Sequence, residues 1–156
     1  MTLADAGPAF AAPLAALHAL CFPDDPWDAG LLARLLAMPG VIGLFAGDAG
    51  DAAPQGLVLV RVAADEAEIL TIGVTPAARG RGLGATLVAA AAARAAAAGA
   101  ASLFLEVAED NLAGRALYAH HGFAAVGRRP GYYARPGGTA VAALVLGLAL
   151  SVTTSQ

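Results

Sequence analysis

The segment RGRGLG, residues 79–84, combines three glycines at alternate positions with two arginines. Glycine leaves backbone N–H groups accessible and arginine adds positive charge, so the segment is suited to hold an anion. A predicted strand ends before it at Val74, and a predicted helix begins at Leu83. Because the first N–H groups of a helix lack intrahelical partners and carry the positive end of its dipole, we predict an anion-binding loop here. The glycine spacing differs from the GxGxxG dinucleotide fingerprint, and a plain turn is the alternative.

The composition excludes several kinds of chemistry. All nine basic residues are arginine, so a Walker-A phosphate loop and a pyridoxal-phosphate enzyme, which both need a lysine, are excluded. The net charge of −3 and the isoelectric point near 5.4 argue against a general nucleic-acid-binding surface. Cys21 is the single cysteine, which excludes an internal disulfide and a cysteine-rich metal site. We predict no bound metal and no nucleic-acid partner.

The high apolar content raises the question of a membrane segment. Hydrophobic residues make up 58% of the chain and the mean hydropathy is +0.67, but alanine supplies much of this content. The longest apolar run near the C-terminus, residues 140–150, is shorter than the roughly 20 residues of a spanning helix. A buried strand is therefore the preferred interpretation. The N-terminal residues lack a charged leader and an apolar signal region, so we expect a cytoplasmic protein with no membrane partner.

Length and periodicity predict one domain over residues 1–156. Helices are predicted where apolar residues recur at helical spacing, and strands where short apolar runs lie between turn residues. Asp28 and Asn111 are predicted N-caps, the four leucines of the second helix are expected to face inward, and the first three strands are expected to form an antiparallel meander. The predicted helices cover residues 13–21, 29–38, 83–98 and 112–121, and the predicted strands cover 41–46, 56–62, 67–74, 102–107, 123–127 and 140–150.

Two segments together resemble the signatures of the GNAT N-acetyltransferases. TIGVTPAARGRGLGATLV is similar to their acetyl-CoA-binding motif, Gln/Arg-x-x-Gly-x-Gly/Ala, here Arg79, Gly82 and Gly84. LFLEVAEDNLAGRALYAHHGF is similar to their second signature, a strand, an asparagine, a helix with Leu–Tyr, and Gly–Phe. The resemblance covers essentially the whole chain and implies that the anion is the pyrophosphate of acetyl-CoA, the co-substrate.

The resemblance also implies the fold. We expect a single α/β (α+β) domain with a mixed, mostly antiparallel central sheet of about six to seven strands, flanked by about four helices. The sheet should be splayed between the strands that end near Val74 and Val107. FPDDPW, LEV around Glu106, RRPGYY and the short closing strand are similar to segments of family members that acetylate the N-terminal alanine of a ribosomal protein. The implied partner is thus a protein or peptide N-terminus, possibly of a ribosomal protein.

Carried over to this sequence, the resemblance implies that Glu106 is the general base and Tyr118 the general acid. The remaining implied residues contact the co-substrate, through backbone at the acetyl and pantetheine portion, through the glycine loop at the pyrophosphate, and through an asparagine. They are Ile72, Gly73 and Val74, then Gly80, Arg81, Gly82, Leu83, Gly84 and Ala85, and finally Asn111.

These residue types suit acetyl transfer to an amine. An α-amino group has a pKa near 7.7 to 8.0 and a lysine side chain one near 10.4. A carboxylate acting through a water can therefore deprotonate an N-terminal amine more readily than a lysine side chain. Flanked by Leu105 and Val107, Glu106 is predicted to point away from its apolar neighbours, and a surface charge at a strand end is the alternative. Tyr118 can point at the same cleft and protonate a departing thiolate, or be a core aromatic.

Three hypotheses for the function follow. The first is an acetyl-CoA-dependent acetyltransferase of protein N-termini. The second is an enzyme of the same fold acting on a small-molecule amine, because residues 137–141, GGTAV, lack the acidic residues often found before the final strand of such N-terminal acetyltransferases. The third is a non-catalytic acyl-CoA-binding module, which would need neither Glu106 nor Tyr118. The acceptor and the oligomeric state are left open.

Other polar and aromatic residues have simpler interpretations. His120 and His121 stand at a helix C-terminus, where cationic side chains favour the dipole. Trp27 is predicted to anchor the first two helices over the substrate side. Arg128 and Arg129 either contact the substrate or a phosphate or are a solvated pair. Tyr132 and Tyr133 either shape a peptide-binding loop or serve in packing.

Overall fold

The computed structural model describes residues 2–47 and 53–151. Within these ranges the chain forms four α-helices and seven strands, besides the short 3-10 helices Pro8–Phe10 and Pro76–Ala78. The helices are α1 (Ala11–Cys21), α2 (Ala29–Ala37), α3 (Leu83–Ala97) and α4 (Leu112–His120). The strands are β1 (Thr2–Asp5), β2 (Val41–Gly47), β3 (Gly56–Ala63), β4 (Glu66–Val74), β5 (Ser102–Ala108), β6 (Ala124–Tyr133) and β7 (Val141–Ala149).

Local sequence explains where the helices begin and end. The side chain of Asp28 accepts a hydrogen bond from the N–H of Leu31 at 2.8 Å, which caps α2 as predicted. Alanine gives α3 a high helix propensity. Gly99, with φ of +98°, follows this helix in the left-handed conformation that commonly ends helices.

The strands form one mixed, mostly antiparallel sheet, which confirms the expectation from the resemblance, and their order is β1-β2-β3-β4-β5-β7-β6. β2, β3 and β4 are the expected antiparallel meander. β4 and β5 are parallel neighbours, but their pairing begins at Glu66 with Ser102 and ends at Glu68 with Phe104. The two strands separate beyond this point, which confirms the predicted splay.

Helices cover both faces of the sheet. β3 separates the two sides, because Val58 and Val60 belong to a core cluster with α3 and α4, whereas Leu57 and Leu59 belong to one with α1 and α2. All four side chains are fully buried. This burial on both faces makes β3 a central strand of the sheet, next to β4.

The N-terminal strand β1 was not predicted. Its four residues, Thr2–Asp5, are all exposed, so no alternation of buried and exposed positions marks it in the sequence. It is held by antiparallel pairing with β2 and by a bidentate ion pair in which Arg94 of α3 contacts the Asp5 carboxylate at 2.8 and 2.9 Å. The Arg94 guanidinium also lowers the pKa of Asp5.

The end of strand β6 and the buried face of helix α2 also differ from the prediction. β6 runs to Tyr133 instead of ending at Gly127, and nine of its ten residues are exposed. Its pairing with β7 shifts register near Gly127 and between Arg129 and Tyr133, which accommodates a proline on an edge strand. In α2 only two of the four leucines, Leu32 and Leu36, are buried, and Leu31 and Leu35 are half-buried.

The apolar run at residues 140–150 contains the strand β7. This confirms the prediction of a strand, which was preferred to a membrane segment. In the described ranges, no helix combines the length and the hydropathy that crossing a bilayer requires.

Candidate active site

The separation of β4 and β5 opens a cleft of about 560 Å³. Four predicted site residues line it: Ile72 on β4, Glu106 on β5, and Asn111 and Tyr118 at the start and near the end of α4. Tyr133, at the end of β6, lines it as well. The structure therefore brings the two predicted catalytic residues into one cavity.

The loop from β4 to α3 has the backbone geometry that its glycines allow. Gly80 and Gly82 have φ angles of +81° and +78°, in the region that favours glycine. No atom beyond the adjacent residues lies within 4 Å of the Cβ that either would carry. Gly82 is the N-cap of the 15-residue helix α3, whose first turn holds no acidic side chain. Arg79 donates through Nε to the carbonyl of Val74 at 3.2 Å, which folds the loop onto β4. The N–H groups of the first turn are oriented to bind an anion.

The other predicted residues of this loop have different surroundings. Arg81 is exposed, and Ala85 is half-buried. Leu83 is 1% exposed and packs in the core, so only its backbone can face an anion. A Cβ on Gly84 would lie 3.3 Å from Cδ2 of Leu117, so this glycine also permits close packing of α3 against α4.

The predicted backbone contacts at Ile72, Gly73 and Val74 lie on the separated part of β4. One edge of this segment pairs with β3, and the other has lost its pairing with β5 and borders the cleft. A Cβ on Gly73 would lie 2.9 Å from Sγ of Cys21 and 3.2 Å from the ring of Phe22, so glycine lets α1 approach the strand. Burial raises the pKa of the Cys21 thiol, with Arg79 opposing it, which disfavours a thiolate nucleophile.

Glu106 lies between the buried residues Leu105 and Val107 and points to the opposite face of β5, as the alternation predicts. Its side chain is 23% exposed, and Oε1 lies 3.0 Å from Nη2 of Arg129. Arg129 extends from β6 across β7 to make this ion pair. The sequence did not predict the pair, because β5 and β6 are separated by α4 in the chain and by β7 in the sheet. The ion pair uses one of the two carboxylate oxygens of Glu106, Oε1.

Tyr118 is 8% exposed and contacts the ring of Phe123 edge-on, with 5.9 Å between ring centroids. Burial raises the pKa of Tyr118 to about 12, and the nearby Tyr133 adds to the shift. Burial also raises the pKa of Tyr133, with a further contribution from Glu106. Both hydroxyls therefore stay protonated at neutral pH.

Asn111 has a structural function in addition to its predicted contact. Its Oδ1 accepts a hydrogen bond from the N–H of Gly114 at 3.0 Å, which caps α4. A Cβ on Gly114 would lie 2.7 Å from Nδ2 of Asn111, so glycine is required for this geometry. Because Oδ1 is committed to the cap, Nδ2 is the atom that can donate to a ligand in the cleft.

Ion pairs hold the end of β6 near the cleft. Arg128 pairs with Glu109 at 3.0 Å, and Arg135 pairs with Asp110 at 2.8 Å. The Arg135 guanidinium lowers the pKa of Asp110. Arg128 is thus an exposed, ion-paired side chain. These pairs were missed because the sequence predicted β6 to end before them.

Sequence reasoning also missed a polar cluster on the α1 side of the cleft. His18, predicted only as an inward helical residue, is 2% exposed and contacts Thr71 on β4 and the backbone of Trp27. A titratable ring at an inward position of an apolar helix was the available signal. Trp27 stacks on this ring with 4.9 Å between centroids and lines the cleft.

Comparison with known proteins agrees with this fold and cleft. The profile of the Acetyltransferase (GNAT) family matches residues 13–123. The chain is 37% identical over 112 residues to the N-alpha-acetyltransferase RimI of Mycobacterium tuberculosis, an alignment that covers 70% of this chain and 69% of that protein.

Solved structures show the same fold. The ribosomal-protein-S18-alanine N-acetyltransferase of Escherichia coli superposes with a TM-score of 0.88 at 23% identity, covering 99% of this chain and 97% of that one. Arabidopsis thaliana NAA60 in complex with acetyl-CoA superposes with a TM-score of 0.80 at 16% identity, covering 95% and 97%. With the family profile matched over most of the chain, the protein belongs to the GNAT family of acetyltransferases.

Proposed function

We propose that the protein is an acetyl-CoA-dependent N-acetyltransferase that modifies the α-amino group of a protein or peptide N-terminus. The observation that carries the proposal is the position of Glu106 and Tyr118 in one cleft, bordered by the β4 edge that leads to the glycine loop. The names of the relatives, an N-alpha-acetyltransferase and an S18-alanine N-acetyltransferase, support the acceptor class. A ribosomal protein is accordingly the first acceptor to test.

The residues of this chain fit acetyl-CoA. The open space at Gly80 and Gly82 and the first N–H groups of α3 would hold the pyrophosphate, with positive charge from Arg81. The edge of β4 from Ile72 to Val74 that does not pair with β5 offers backbone groups to the pantetheine amides, apart from the Val74 carbonyl that accepts from Arg79. Asn111 lines the same cleft, and its Nδ2 would be a further donor. When bound, acetyl-CoA supplies the thioester carbonyl that is attacked.

The chemistry assigned to the chain is direct attack by the acceptor nitrogen on the thioester carbonyl. A C–N bond forms and the C–S bond breaks, so no nucleophilic side chain is needed. The Glu106 carboxylate accepts the proton of the amine through a water. The Tyr118 hydroxyl donates to the departing sulfur from the α4 wall. Burial of Tyr118 limits water at this position.

The acceptor would enter through a wider groove of about 1000 Å³ that shares Glu106 with the cleft. The groove is bordered by the loop after α1 and by the segment after β6. Its charged side chains are four carboxylates and one guanidinium, an excess that attracts an ammonium group. They are Asp24, Asp25, Glu68, Glu106 and Arg135.

The acceptor class is tested with paired peptides. We expect peptides with a free α-amino group and a small first residue to be acetylated faster than N-terminally blocked peptides that contain one lysine. The reason is the lower pKa of the α-amino group, near 8 against about 10.4. Mass spectrometry of both peptides with acetyl-CoA measures the ratio. The chain contains no lysine, so acetyl-lysine can come only from the peptide.

Equal or faster modification of the blocked peptide would contradict the proposed acceptor. A small-molecule amine is the second candidate, because the exposed residues 137–140 before β7 carry no acidic side chain. Turnover of amines with no turnover of any free N-terminal peptide would favour it.

The glycine loop gives a separate prediction. We expect Gly82→Asp to weaken acetyl-CoA binding by at least about thirtyfold, since a carboxylate would stand beside the first turn of α3, where the phosphates must approach. Isothermal titration calorimetry measures the affinity. Gly82→Asn is the matched control, because asparagine has the same shape and tolerates the left-handed conformation but is neutral. Gly82 is preferable to Gly84 for this test because Gly84 also packs against Leu117.

The charge argument requires the Asp variant to bind much more weakly than the Asn variant. If both bind acetyl-CoA as tightly as the unsubstituted protein, the loop does not hold the pyrophosphate.

A further inference from the structure

We propose that His18 is a positioning residue that locks the loop after α1, residues 22–27, onto β4 and thereby sets the acceptor side of the cleft. The inference rests on the proposed function for its kinetic consequences, but the locking itself is a property of the fold. Nothing in the resemblance assigned a role to this side chain.

The hydrogen bonds of His18 fix its tautomer. The backbone N–H of Trp27 lies 3.0 Å from Nδ1, and because an N–H can only donate, Nδ1 must carry a lone pair. The neutral ring then carries its hydrogen on Nε2, which donates to Oγ1 of Thr71 at 3.1 Å. Both ring nitrogens are therefore used, one toward the loop and one toward β4.

The ring is also held by aromatic contacts on two sides. Its centroid lies 4.5 Å from that of Phe22 and 4.9 Å from that of Trp27, the latter nearly parallel at 15°. Phe22 and Trp27 are the two ends of the loop, and both line the cleft. One buried side chain thus contacts both ends of the loop that carries Asp24 and Asp25 into the acceptor groove.

On the other side, His18 contacts the separated part of β4. Thr71 is buried and lies beside the register shift between Leu59 and Val60, where β4 has an extra residue relative to β3. The hydrogen of the Thr71 hydroxyl must point away from His18, since its oxygen accepts from Nε2. The contact therefore ties the loop to the strand at the position where the cleft opens.

The surroundings of His18 keep its ring neutral. Burial lowers the pKa of His18, and the nearby Asp25 carboxylate opposes the shift. An imidazolium would place a hydrogen on Nδ1 facing the Trp27 N–H, so the neutral ring is the form compatible with the observed contacts.

We expect the loss of the His18 contacts to affect only the binding of the acceptor. The glycine loop follows the far end of β4 and contains none of the contacts of His18. Loss of the ring contacts should therefore weaken acceptor binding and leave acetyl-CoA binding and the chemical step nearly unchanged. A general loss of stability would instead lower all three together.

The test compares His18→Leu, His18→Asn and Thr71→Val. His18→Leu fills the buried position with an apolar side chain but loses both hydrogen bonds, and we expect the KM of an N-terminal peptide to rise about tenfold, with kcat within about twofold. His18→Asn retains an acceptor near Nδ1 for the Trp27 N–H, so it should recover part of the loss. Thr71→Val removes only the β4 contact and should have an intermediate effect. His120→Leu, at an exposed histidine on α4, is the matched control.

A spectroscopic measurement needs no substrate. Trp27 is the single tryptophan, so the intrinsic emission reports its environment directly. We expect His18→Leu to shift this emission to longer wavelength and His18→Asn to restore it in part, with circular dichroism confirming that each variant is folded. If His18→Leu does not fold, His18→Asn and Thr71→Val provide the comparison.

Unchanged Trp27 emission and unchanged acceptor KM in the folded variants would overturn the inference. An equal fall in kcat and in affinity for acetyl-CoA would also overturn it, because it would indicate a merely structural effect. If the emission shifts as expected but the unsubstituted protein acetylates no peptide, the proposed acceptor class fails and the locking by His18 stands.

Discussion

Glu106→Gln is expected to lower kcat/KM for an N-terminal peptide at pH 7 by about 10² to 10⁴, the usual cost of losing a general base. Glutamine keeps the shape of the side chain, and its amide oxygen can still accept from Arg129, which lies 3.0 Å from Oε1 in the protein. It cannot accept the proton of the attacking amine. The loss therefore isolates proton acceptance from the positioning that the ion pair provides.

The pH dependence of the rate of Glu106→Gln is a stronger test of Glu106 as the general base. Without a base in the cleft, the rate should follow the fraction of free amine in solution, which rises toward the amine pKa near 8. The defect of Glu106→Gln should thus shrink between pH 7 and pH 9 in steady-state assays. Glu109→Gln is the matched control, because it alters an ion pair of the same 3.0 Å length outside the cleft. A wild-type pH profile for Glu106→Gln would mean that another group activates the amine.

Arg129 is a competitor of the acceptor amine for the Glu106 carboxylate, which the sequence did not suggest. Its guanidinium occupies the Glu106 oxygen that faces β6, and an incoming ammonium group would compete with it for the same carboxylate. Arg129 is more than half exposed, and while paired with Glu106 it also lies over the ring of Tyr132 at 5.5 Å. Arg129 is therefore the group that an acceptor ammonium would have to displace from this oxygen.

The parts of the fold that could be predicted are those with a strong local pattern. Asp28 as a cap, Gly99 at the end of α3 and the apolar runs of β3 and β4 all have direct physical causes in neighbouring residues. β1 and the second half of β6 lack such a pattern because both are edge strands exposed to solvent. Their positions are fixed by pairing with distant strands, which a single sequence does not reveal.

The same distinction applies to the site. The glycine loop and the outward face of Glu106 follow from spacing and alternation alone. The contacts that surround them join residues far apart in the chain: Glu106 with Arg129, and His18 with Thr71. These contacts depend on the strand order β5-β7-β6 and on the approach of α1 to β4. Roles for Glu106, Tyr118 and Asn111 remain predictions that the variants must test.

Tyr118→Phe is expected to lower kcat by about 10² to 10⁴ while leaving acetyl-CoA affinity nearly normal. The ring of Tyr118 packs edge-on against Phe123, and phenylalanine preserves this contact while removing only the hydroxyl. The affinity should be retained because the glycine loop and the β4 edge are unchanged. Steady-state kinetics and calorimetry on the same preparation separate the two quantities.

The raised pKa of Tyr118, about 12, defines the pH behaviour of this variant. The hydroxyl of the unsubstituted protein stays protonated up to about pH 11, so the defect should be constant across the whole range in which the protein can be assayed. This differs from Glu106→Gln, whose defect should shrink as pH rises. The two variants together therefore distinguish the acid from the base.

The same pKa refines how Tyr118 can assist. A thiol has a reference pKa near 8.5, so complete proton transfer from a group at about 12 would be uphill by roughly 5 kcal/mol. We therefore expect the hydroxyl to act mainly as a hydrogen-bond donor that stabilises negative charge on the departing sulfur. Tyr133→Phe is the comparison, since that hydroxyl lines the same cleft. If Tyr133→Phe loses turnover and Tyr118→Phe keeps it, the donor to the sulfur is Tyr133, and the α4 wall of the cleft only shapes the cavity.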